Sequence, residues 1–180
     1  FFPEDRENEI AEKKVFEQLK RISDTYDIFY SRKFITDGIG KKPEYEVDFI
    51  IAIPEKAIIC LEVKGGIINY SGTKDEWTQN RRLMSKRPDS QASSATHALI
   101  KGFSGLIGDM AIGWGLCFPD GDLGSKALPT SIDSNQIIDQ LGVLHIDKAL
   151  EFETRKLSFQ TTSDRIVASR EVKALILGVN

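Results

Sequence analysis

The 180-residue sequence holds few of the side chains that build histidine- or cysteine-based active sites. Its only histidines are His97 and His145, and its only cysteines, Cys60 and Cys117, lie inside short apolar runs typical of strands. No CxxC pair, HExxH zinc motif or GxSxG nucleophile motif occurs. A zinc hydrolase, a serine hydrolase and a disulfide framework are therefore excluded, and a reducing, cytoplasmic location is predicted.

Long apolar runs are also missing. No stretch approaches the roughly 18 residues that span a bilayer, and no basic segment followed by an apolar one marks a secretion signal. The segment 38–42 contains glycine and lysine but lacks the serine or threonine that follows the lysine of a phosphate-binding loop. Membrane insertion and ATP binding through such a loop are therefore not expected. Because the chain starts at Phe1 without a methionine, we expect it to be a fragment of a larger protein.

The bulk composition is that of an ordinary globular domain. Hydrophobic residues make up 41% of the chain and charged residues 28%, with a net charge of −3. This charge argues against a generally basic nucleic-acid-binding surface. The length predicts one domain over residues 1–180, with a core at about 7–120 and a C-terminal extension at 121–180.

Hydrophobic periodicity predicts an α/β fold. Apolar residues at helical spacing indicate helices at 7–22 and 90–107, and strand-like runs are found at 28–35, 45–53, 57–64 and 112–118. Residues 67–70 are expected to continue the strand that Gly65 and Gly66 interrupt. Residues 134–141 are expected to form a short helix, with two further helices after residue 146. The order of elements favours a mixed β-sheet flanked by helices.

Three charged residues interrupt the most strand-like part of the sequence. Side chains alternate between the faces of a strand, so Glu62 and Lys64 share one face. If the hairpin made by residues 45–53 and 57–64 is symmetric about Glu55, Asp48 lies directly across from Glu62. The two Cβ atoms are then about 4.5 to 5.5 Å apart, a distance at which like charges destabilise a sheet.

The expected repulsion between Asp48 and Glu62 requires compensation. Either one carboxyl has a raised pKa, or a divalent cation lies between the carboxylates, as Mg²⁺ does when it binds protein carboxylates together with a substrate phosphate. The metal hypothesis also gives Lys64 a role, because its ammonium can orient an attacking water and balance charge on the phosphate. We therefore interpret these residues as a candidate metal-dependent site.

A purely structural interpretation stays open for the same residues. Asp48 could cap or bulge its strand, and Glu62 and Lys64 could lie on the exposed face of an edge strand. A register slip of one residue would turn Asp48 to the other face. Because the flanking runs are apolar on both faces, unpaired charges there would be costly, which favours a functional site.

Further polar residues join the candidate site by position. Glu12 lies on the apolar stripe of the first helix and faces the core, or it snorkels outward from the edge of that stripe. Gln91 opens the second helix and binds a metal water or a phosphate, or it caps the helix. Glu46 lies two residues before Asp48, so the two side chains share one face of a regular strand. Glu46 is kept as a supporting residue at the end of the sheet.

One basic run stands out from the mildly acidic chain. It comprises Arg81, Arg82, Lys86 and Arg87. These four residues are candidates for nucleic-acid binding, although a solvated surface is the alternative.

The order of these residues resembles the nuclease-related domain, or NERD, a branch of the PD-(D/E)xK phosphodiesterase superfamily. The resemblance covers about the first two-thirds of the chain and rests on Glu12, Glu46-Val47-Asp48, Leu61-Glu62-Val63-Lys64-Gly65-Gly66, Trp77 and Gln91. The basic loop 81–89 before Gln91 departs from the family's short spacing. The segment Trp114–Asp120 is similar to a stretch of NERD domains that precede superfamily 1 helicases, so a fused helicase is an implied partner.

The resemblance implies a restriction-endonuclease-like core that cleaves phosphodiester bonds of nucleic acid, above all DNA, with Mg²⁺ or Mn²⁺ as cofactor. The site residues it implies are Asp48, Glu62 and Val63 at the metal, Lys64 as a catalytic residue, and Glu12 and Gln91 in support. The alternative is a non-catalytic module of the same fold, which docks nucleic acid or a partner domain for an attached motor. The complete set of Asp48, Glu62 and Lys64 argues against that alternative.

Overall fold

The computed structural model describes residues 9–22, 24, 26–35, 44–53, 57–107, 111–123 and 126–154. Its helices are α1 Ile10–Lys20, α2 Pro88–Ile107, α3 Gln140–Leu144 and α4 Ile146–Thr154. Its strands are β1 Asp27–Ile35, β2 Glu44–Ile53, β3 Ala57–Val63, β4 Ile68–Ser71, β5 Glu76–Gln79, β6 Arg82–Leu83, β7 Ala111–Phe118 and β8 Ile137–Asp139. The helices at the start of the chain and before β7 confirm the two longest predicted helices.

The larger of two sheets is mixed. Its strand order is β1-β2-β3-β7-β8, in which β1, β2 and β3 are antiparallel neighbours and β3, β7 and β8 are parallel ones. The crossover from β3 to β7 contains α2 and a second, antiparallel sheet of order β4-β5-β6. This α/β arrangement confirms the predicted mixed sheet flanked by helices and is consistent with a restriction-endonuclease-like fold.

Strand β3 lies at the centre of the mixed sheet and is buried along its whole length. Its alternate side chains enter two different apolar clusters, because helices cover both faces of the sheet. The cluster on the α1 face includes Val15, Leu19, Phe49, Ile59, Leu61, Val143 and Leu150. The cluster on the α2 face includes Phe29, Ile50, Ile58, Cys60, Ala95 and Leu99. Burial on both faces explains why β3 has an almost continuous apolar sequence.

The hairpin of β2 and β3 has the predicted register. Ile53 pairs with Ala57 and Phe49 pairs with Leu61, which is the symmetry about Glu55 that the sequence analysis assumed. The connecting residues 54–56 lie outside the described part of the chain. The end of the hairpin that carries the charged residues is therefore directed away from this turn, towards the start of α1.

Two local predictions are wrong. Residues 68–71 do not continue β3 but start the second sheet, because Gly66, with φ +78°, turns the chain out of the mixed sheet. Residues 134–141 are not one helix. A 3₁₀ turn at Ser134–Gln136 leads into β8, and Asp139 then caps the start of α3 through its carboxylate.

The region after residue 120 packs into the main core. Strand β8 pairs with β7, and Val143, Ile146 and Leu150 belong to the cluster on the α1 face. Helix α4 ends at Thr154, and the predicted structure beyond it lies outside the described residues. No helix among the described residues is long and apolar enough to cross a membrane.

Candidate active site

Asp48 and Glu62 lie at the end of the β2–β3 hairpin. The last backbone pair is Phe49 with Leu61, so the two acids are the next residue on each strand. The Asp48 carboxylate accepts a hydrogen bond of 2.7 Å from the backbone N–H of Val63. The pairing of β2 with β3 therefore ends at the hydrogen bond between the Val63 backbone and the Asp48 side chain. This bond brings the Asp48 carboxylate next to Glu62.

The strand is irregular at Asp48. Val47 packs in the same cluster as Ile50, so the strict alternation of faces is interrupted between them. On the neighbouring strand, Ser31 lies between the pairs Tyr30–Phe49 and Arg32–Val47 and has a left-handed backbone with φ +45°. The pairing of β1 with β2 keeps one register on both sides of Asp48, so no residue is inserted there, but the side chains of β2 change faces at this point.

Glu62 and Lys64 form a nearly enclosed ion pair. Glu62 is 3% exposed, and its Oε1 lies 2.5 Å from Lys64 Nζ. The backbone N–H of Lys64 donates to the carbonyl of Cys117 at 2.9 Å, which ties this residue to the end of β7. Buried charges persist only when they are paired, so the pair holds both side chains at the end of the sheet.

Glu12 brings a third carboxyl to the cluster from the first turn of α1. The hydroxyl oxygen of Tyr30 lies 2.6 Å from Glu12 Oε2 and 2.7 Å from Glu9 Oε2. A hydroxyl has one hydrogen to donate, so a short contact to both carboxyls is best satisfied when one of them is protonated. The stripe position of Glu12 thus does place its side chain against the sheet.

The three carboxyls destabilise one another's charged forms. Burial and then the charge of Glu62 raise the pKa of Asp48 to about 7. Burial first, and the charge of Asp48 among smaller causes, raise the pKa of Glu12 to about 7 despite its bond from Tyr30. Burial likewise raises the pKa of Glu62. Burial works to lower the pKa of Lys64, but the charge of Glu62 outweighs it, so the pKa is raised and the ammonium is retained.

These shifts predict that the metal-free protein loses stability as the pH rises from about 4 to about 7. In this window folded Asp48, with a pKa of about 7, binds more protons than unfolded Asp48, with the ordinary value of 3.8. We expect the Tm measured in EDTA to be about 5 °C or more higher at about pH 5 than at about pH 7.5. Asp48→Asn should flatten this dependence and raise the Tm at the higher pH. Parallel pH profiles of the two proteins would contradict the assignment.

The same carboxylates have the chemistry of a divalent-cation site. Mg²⁺ is bound by one or two carboxylates and completes its octahedron with waters and substrate phosphates. Asp48 and Glu62 fit this need, since a cation between them would offset the burial that raises both pKa values and the charge of Glu62 that raises the pKa of Asp48. Among the described residues, no group of three or more His, Cys, Asp or Glu side chains has the arrangement of a full protein-only metal site.

Lys64 and Glu12 line a cavity of about 1040 Å³, whereas Asp48 and Glu62 are not part of its lining. Its lining includes Glu12, Val63, Lys64, Arg82, Lys86 and Gln91. The structure thus brings the start of α1, the end of β3, the second sheet and the start of α2 to one cleft. Arg81 is exposed in the turn between β5 and β6, where Asn80 and Arg81 both have positive φ.

Arg87 differs from the other members of the basic run. Its guanidinium makes ion pairs with Asp75 at 2.8 Å and Asp89 at 2.9 Å, and it donates to the carbonyl of Asp75 at 3.0 Å. These contacts raise the pKa of Arg87 and lower that of Asp75. The structure therefore uses Arg87 to join the β4–β5 turn to the start of α2.

Asp120 holds together chain segments next to the site, a role that was not predicted from the sequence. Its Oδ2 accepts a 2.7 Å hydrogen bond from the N–H of Gly66, and its Oδ1 pairs with Lys14 on α1. The same two groups lower its pKa, although burial opposes them. Asp120 thus connects α1, the end of β7 and the chain just after Lys64. A Pro-Asp-Gly turn was visible in the sequence, but its distant partners were not.

The two glycines after Lys64 are required by close packing. A Cβ atom at Gly65 would lie 2.7 Å from the Cβ of Ala11, and one at Gly66 would lie 2.6 Å from the side chain of Asn80. The amide of Gln79 also donates to the carbonyl of Gly65 at 2.7 Å. The glycines therefore let α1 and the second sheet approach Lys64 from two sides.

The mixed sheet flanked by helices, with a carboxylate–lysine cluster at the end of its central strands, defines the protein as an α/β protein of the restriction-endonuclease-like class. The sequence profile of the nuclease-related domain matches residues 7–112, which is more than half of the chain. The chain belongs to the nuclease-related domain family. No curated protein and no solved structure matched it in the parallel comparisons.

Proposed function

We propose that the protein is a metal-dependent nuclease that hydrolyses phosphodiester bonds of nucleic acid, with DNA as its substrate. The observation that carries this proposal is the cluster of Asp48, Glu62 and Lys64, of which Lys64 lines a large, open cleft. Membership of the nuclease-related domain family supports a nuclease-related function. The proposal also includes a cytoplasmic location and a helicase that is fused to the chain or associated with it.

Each member of the cluster has a role in this reaction. Asp48 and Glu62, with the backbone carbonyl of Val63, would hold Mg²⁺ or Mn²⁺, which when bound polarises the phosphodiester and acidifies water. The ammonium of Lys64, held by Glu62 at 2.5 Å, orients the attacking water and neutralises charge that develops on the phosphate. The ammonium of Lys64 does not have to move for the reaction, because Glu62 and the backbone of β7 already hold this residue in place.

Two residues at the rim support this chemistry. Glu12, whose pKa is raised to about 7, can take up or release a proton near neutral pH at the carboxyl that faces Tyr30. Gln91 lines the cavity at the start of α2, where its amide can donate to a phosphate oxygen. Both therefore act at the cleft rather than in the core.

The basic run supplies the contacts to the nucleic acid backbone. Arg82 and Lys86 line the cleft, and Arg81 is exposed beside it. Lysine and arginine at such positions neutralise phosphates and release counterions. Arg87 contributes indirectly, because its ion pairs with Asp75 and Asp89 hold the segment that carries Lys86.

The direct test is metal-dependent cleavage of single- and double-stranded DNA by the purified chain. We expect cleavage in Mg²⁺ or Mn²⁺ and none in EDTA. The competing proposal, a docking module of the same fold that does not cut, predicts DNA or helicase binding without cleavage. Absence of cleavage above the EDTA background in both metals would overturn the nuclease proposal and favour the docking module.

A further inference from the structure

Two strongly exposed aliphatic side chains lie beside the charged groups of the cleft. Ile10, at the start of α1, and Leu83, on β6, are each 64% exposed and both line the 1040 Å³ cavity. Isolated exposed aliphatic residues are common on protein surfaces, but these two come from separate elements and line the same charged cleft. Contacts to phosphate need charge and hydrogen bonds, so these side chains serve a different part of the ligand.

Leu83 is held rigidly although it is exposed. It pairs with Thr78 in the hairpin of β5 and β6, and the next residue, Met84, donates its backbone N–H to the carbonyl of Trp77 at 2.9 Å. Trp77 itself is 1% exposed and anchors this hairpin in the core. Because the backbone at Leu83 is already fixed, only its side chain has to be ordered when it meets a ligand, which favours binding.

A second cavity extends the cleft past the start of α2. It has a volume of about 520 Å³, and Tyr45 lies in its wall. Lys86 and Gln91 line both cavities, so the two cavities adjoin at these residues. The groove formed by the two cavities therefore carries Ile10, Leu83 and Lys64 in one part and the aromatic ring of Tyr45 in the other.

This combination of groups distinguishes two forms of nucleic acid. In a duplex the flat faces of the bases are stacked and hidden, so aliphatic groups in the groove would meet charged, hydrated backbone. In a single strand the bases can unstack and lie against apolar and aromatic side chains, while lysine and arginine follow the phosphates. The groove offers both kinds of contact along one path.

We propose that this groove binds a single nucleic acid strand, with Ile10 and Leu83 against its bases in the larger cavity and Tyr45 against a base in the second. The inference rests on the proposed nuclease function, whose substrate form it names. Ile10, Leu83 and Tyr45 contact the substrate without taking part in the chemistry. They select unpaired DNA over duplex DNA.

Binding measured apart from cleavage tests this inference. The probe is a fluorescein-labelled DNA strand of about 15 nucleotides, within the range of single-strand sites. Its anisotropy is followed with Lys64→Ala protein in Mg²⁺, so that cutting does not interfere, and the same strand annealed to its complement is the duplex probe. We expect the single strand to bind more tightly than the duplex.

Changes at the groove should then separate apolar from ionic contacts. Added to Lys64→Ala, Leu83→Ala is expected to weaken single-strand binding about threefold to tenfold, by loss of part of one buried aliphatic contact, without changing the salt dependence. Lys86→Ala should instead reduce the slope of log affinity against log salt by about 0.7. Leu141→Ala is the matched control, because Leu141 is 65% exposed on α3 and lines neither cavity.

Distinct outcomes separate this inference from the nuclease proposal. Strand binding that depends on Leu83, together with no cleavage by the unmodified chain, leaves the groove assignment standing and removes the enzyme. Cleavage with equal binding by the Leu83→Ala and Leu141→Ala proteins overturns the groove assignment alone, as does tighter binding of the duplex. If neither probe binds, the apolar pair belongs to a protein contact and the inference is wrong. Because Leu83 is exposed, its variant should keep the parent Tm, which is measured alongside.

Discussion

Replacing Lys64 with alanine is expected to lower the rate of metal-dependent cleavage by about 10²- to 10³-fold. Preorganised groups that stabilise developing transition-state charge contribute on this scale. Lys64 meets that description, because its ammonium is fixed 2.5 Å from Glu62 and its backbone is bonded to β7. The loss should fall mainly on kcat, since Lys64 is proposed to act in the transition state and not in ground-state binding.

Single-turnover cleavage of labelled DNA at saturating protein measures this effect directly. Lys148→Ala is the matched control, because Lys148 is exposed on α4 and does not line the cleft. The Tm of each protein is recorded in Mg²⁺, since the change also removes the buried partner of Glu62. A folded Lys64→Ala protein that cuts within a few-fold of the parent would rule out a catalytic role for Lys64.

Replacing Trp77 with alanine is expected to lower the free energy of unfolding by about 3 to 5 kcal/mol, the range for buried Phe or Trp to Ala. Trp77 is 1% exposed and lies in a cluster with Ile68, Ala92 and Phe118. This cluster attaches the second sheet to α2 and β7. Its loss would also release the wall that carries Arg82 and Leu83, so we expect cleavage to fall even in protein that stays folded.

Trp77→Phe separates the two parts of this effect. Among the described residues, the indole Nε1 of Trp77 is a buried nitrogen without a hydrogen-bond partner. Phenylalanine keeps most of the aromatic packing against Tyr70 and Phe118 and removes that unsatisfied donor, so its cost should be well below that of alanine. Urea unfolding measures both variants. If Trp77→Ala costs less than about 1 kcal/mol, the second sheet does not depend on this anchor.

Much of the candidate site was predictable because its signals are local. The alternation of a strand places Glu62 and Lys64 on one side, and a hairpin symmetric about Glu55 brings Asp48 to the end of the same ladder. The helical spacing of apolar residues in α1 likewise predicted that the Glu12 side chain faces the sheet. Each of these inferences needs only the neighbouring ten or so residues, which is the distance over which periodicity specifies direction.

Other features depend on partners that are distant in sequence. Strand β6 has only two residues, too few for any periodic signal, and it exists because Asn80 and Arg81 form a left-handed turn against β5. The role of Arg87 is set by Asp75, which belongs to the turn after β4. Neither could be inferred from the basic run itself, which is why that run was predicted as one uniform binding surface.

The sequence by itself determined the class of fold, the family and the residue types of the cluster, because these follow from periodicity and from the order of short motifs. Only the tertiary structure decided how the cluster is framed. Asp120 joins the N–H of Gly66 to Lys14 of α1, and the second sheet, anchored by Trp77, forms part of the cleft wall. These contacts join segments that are far apart in the chain, and their energies depend on burial and distance, which no local pattern contains.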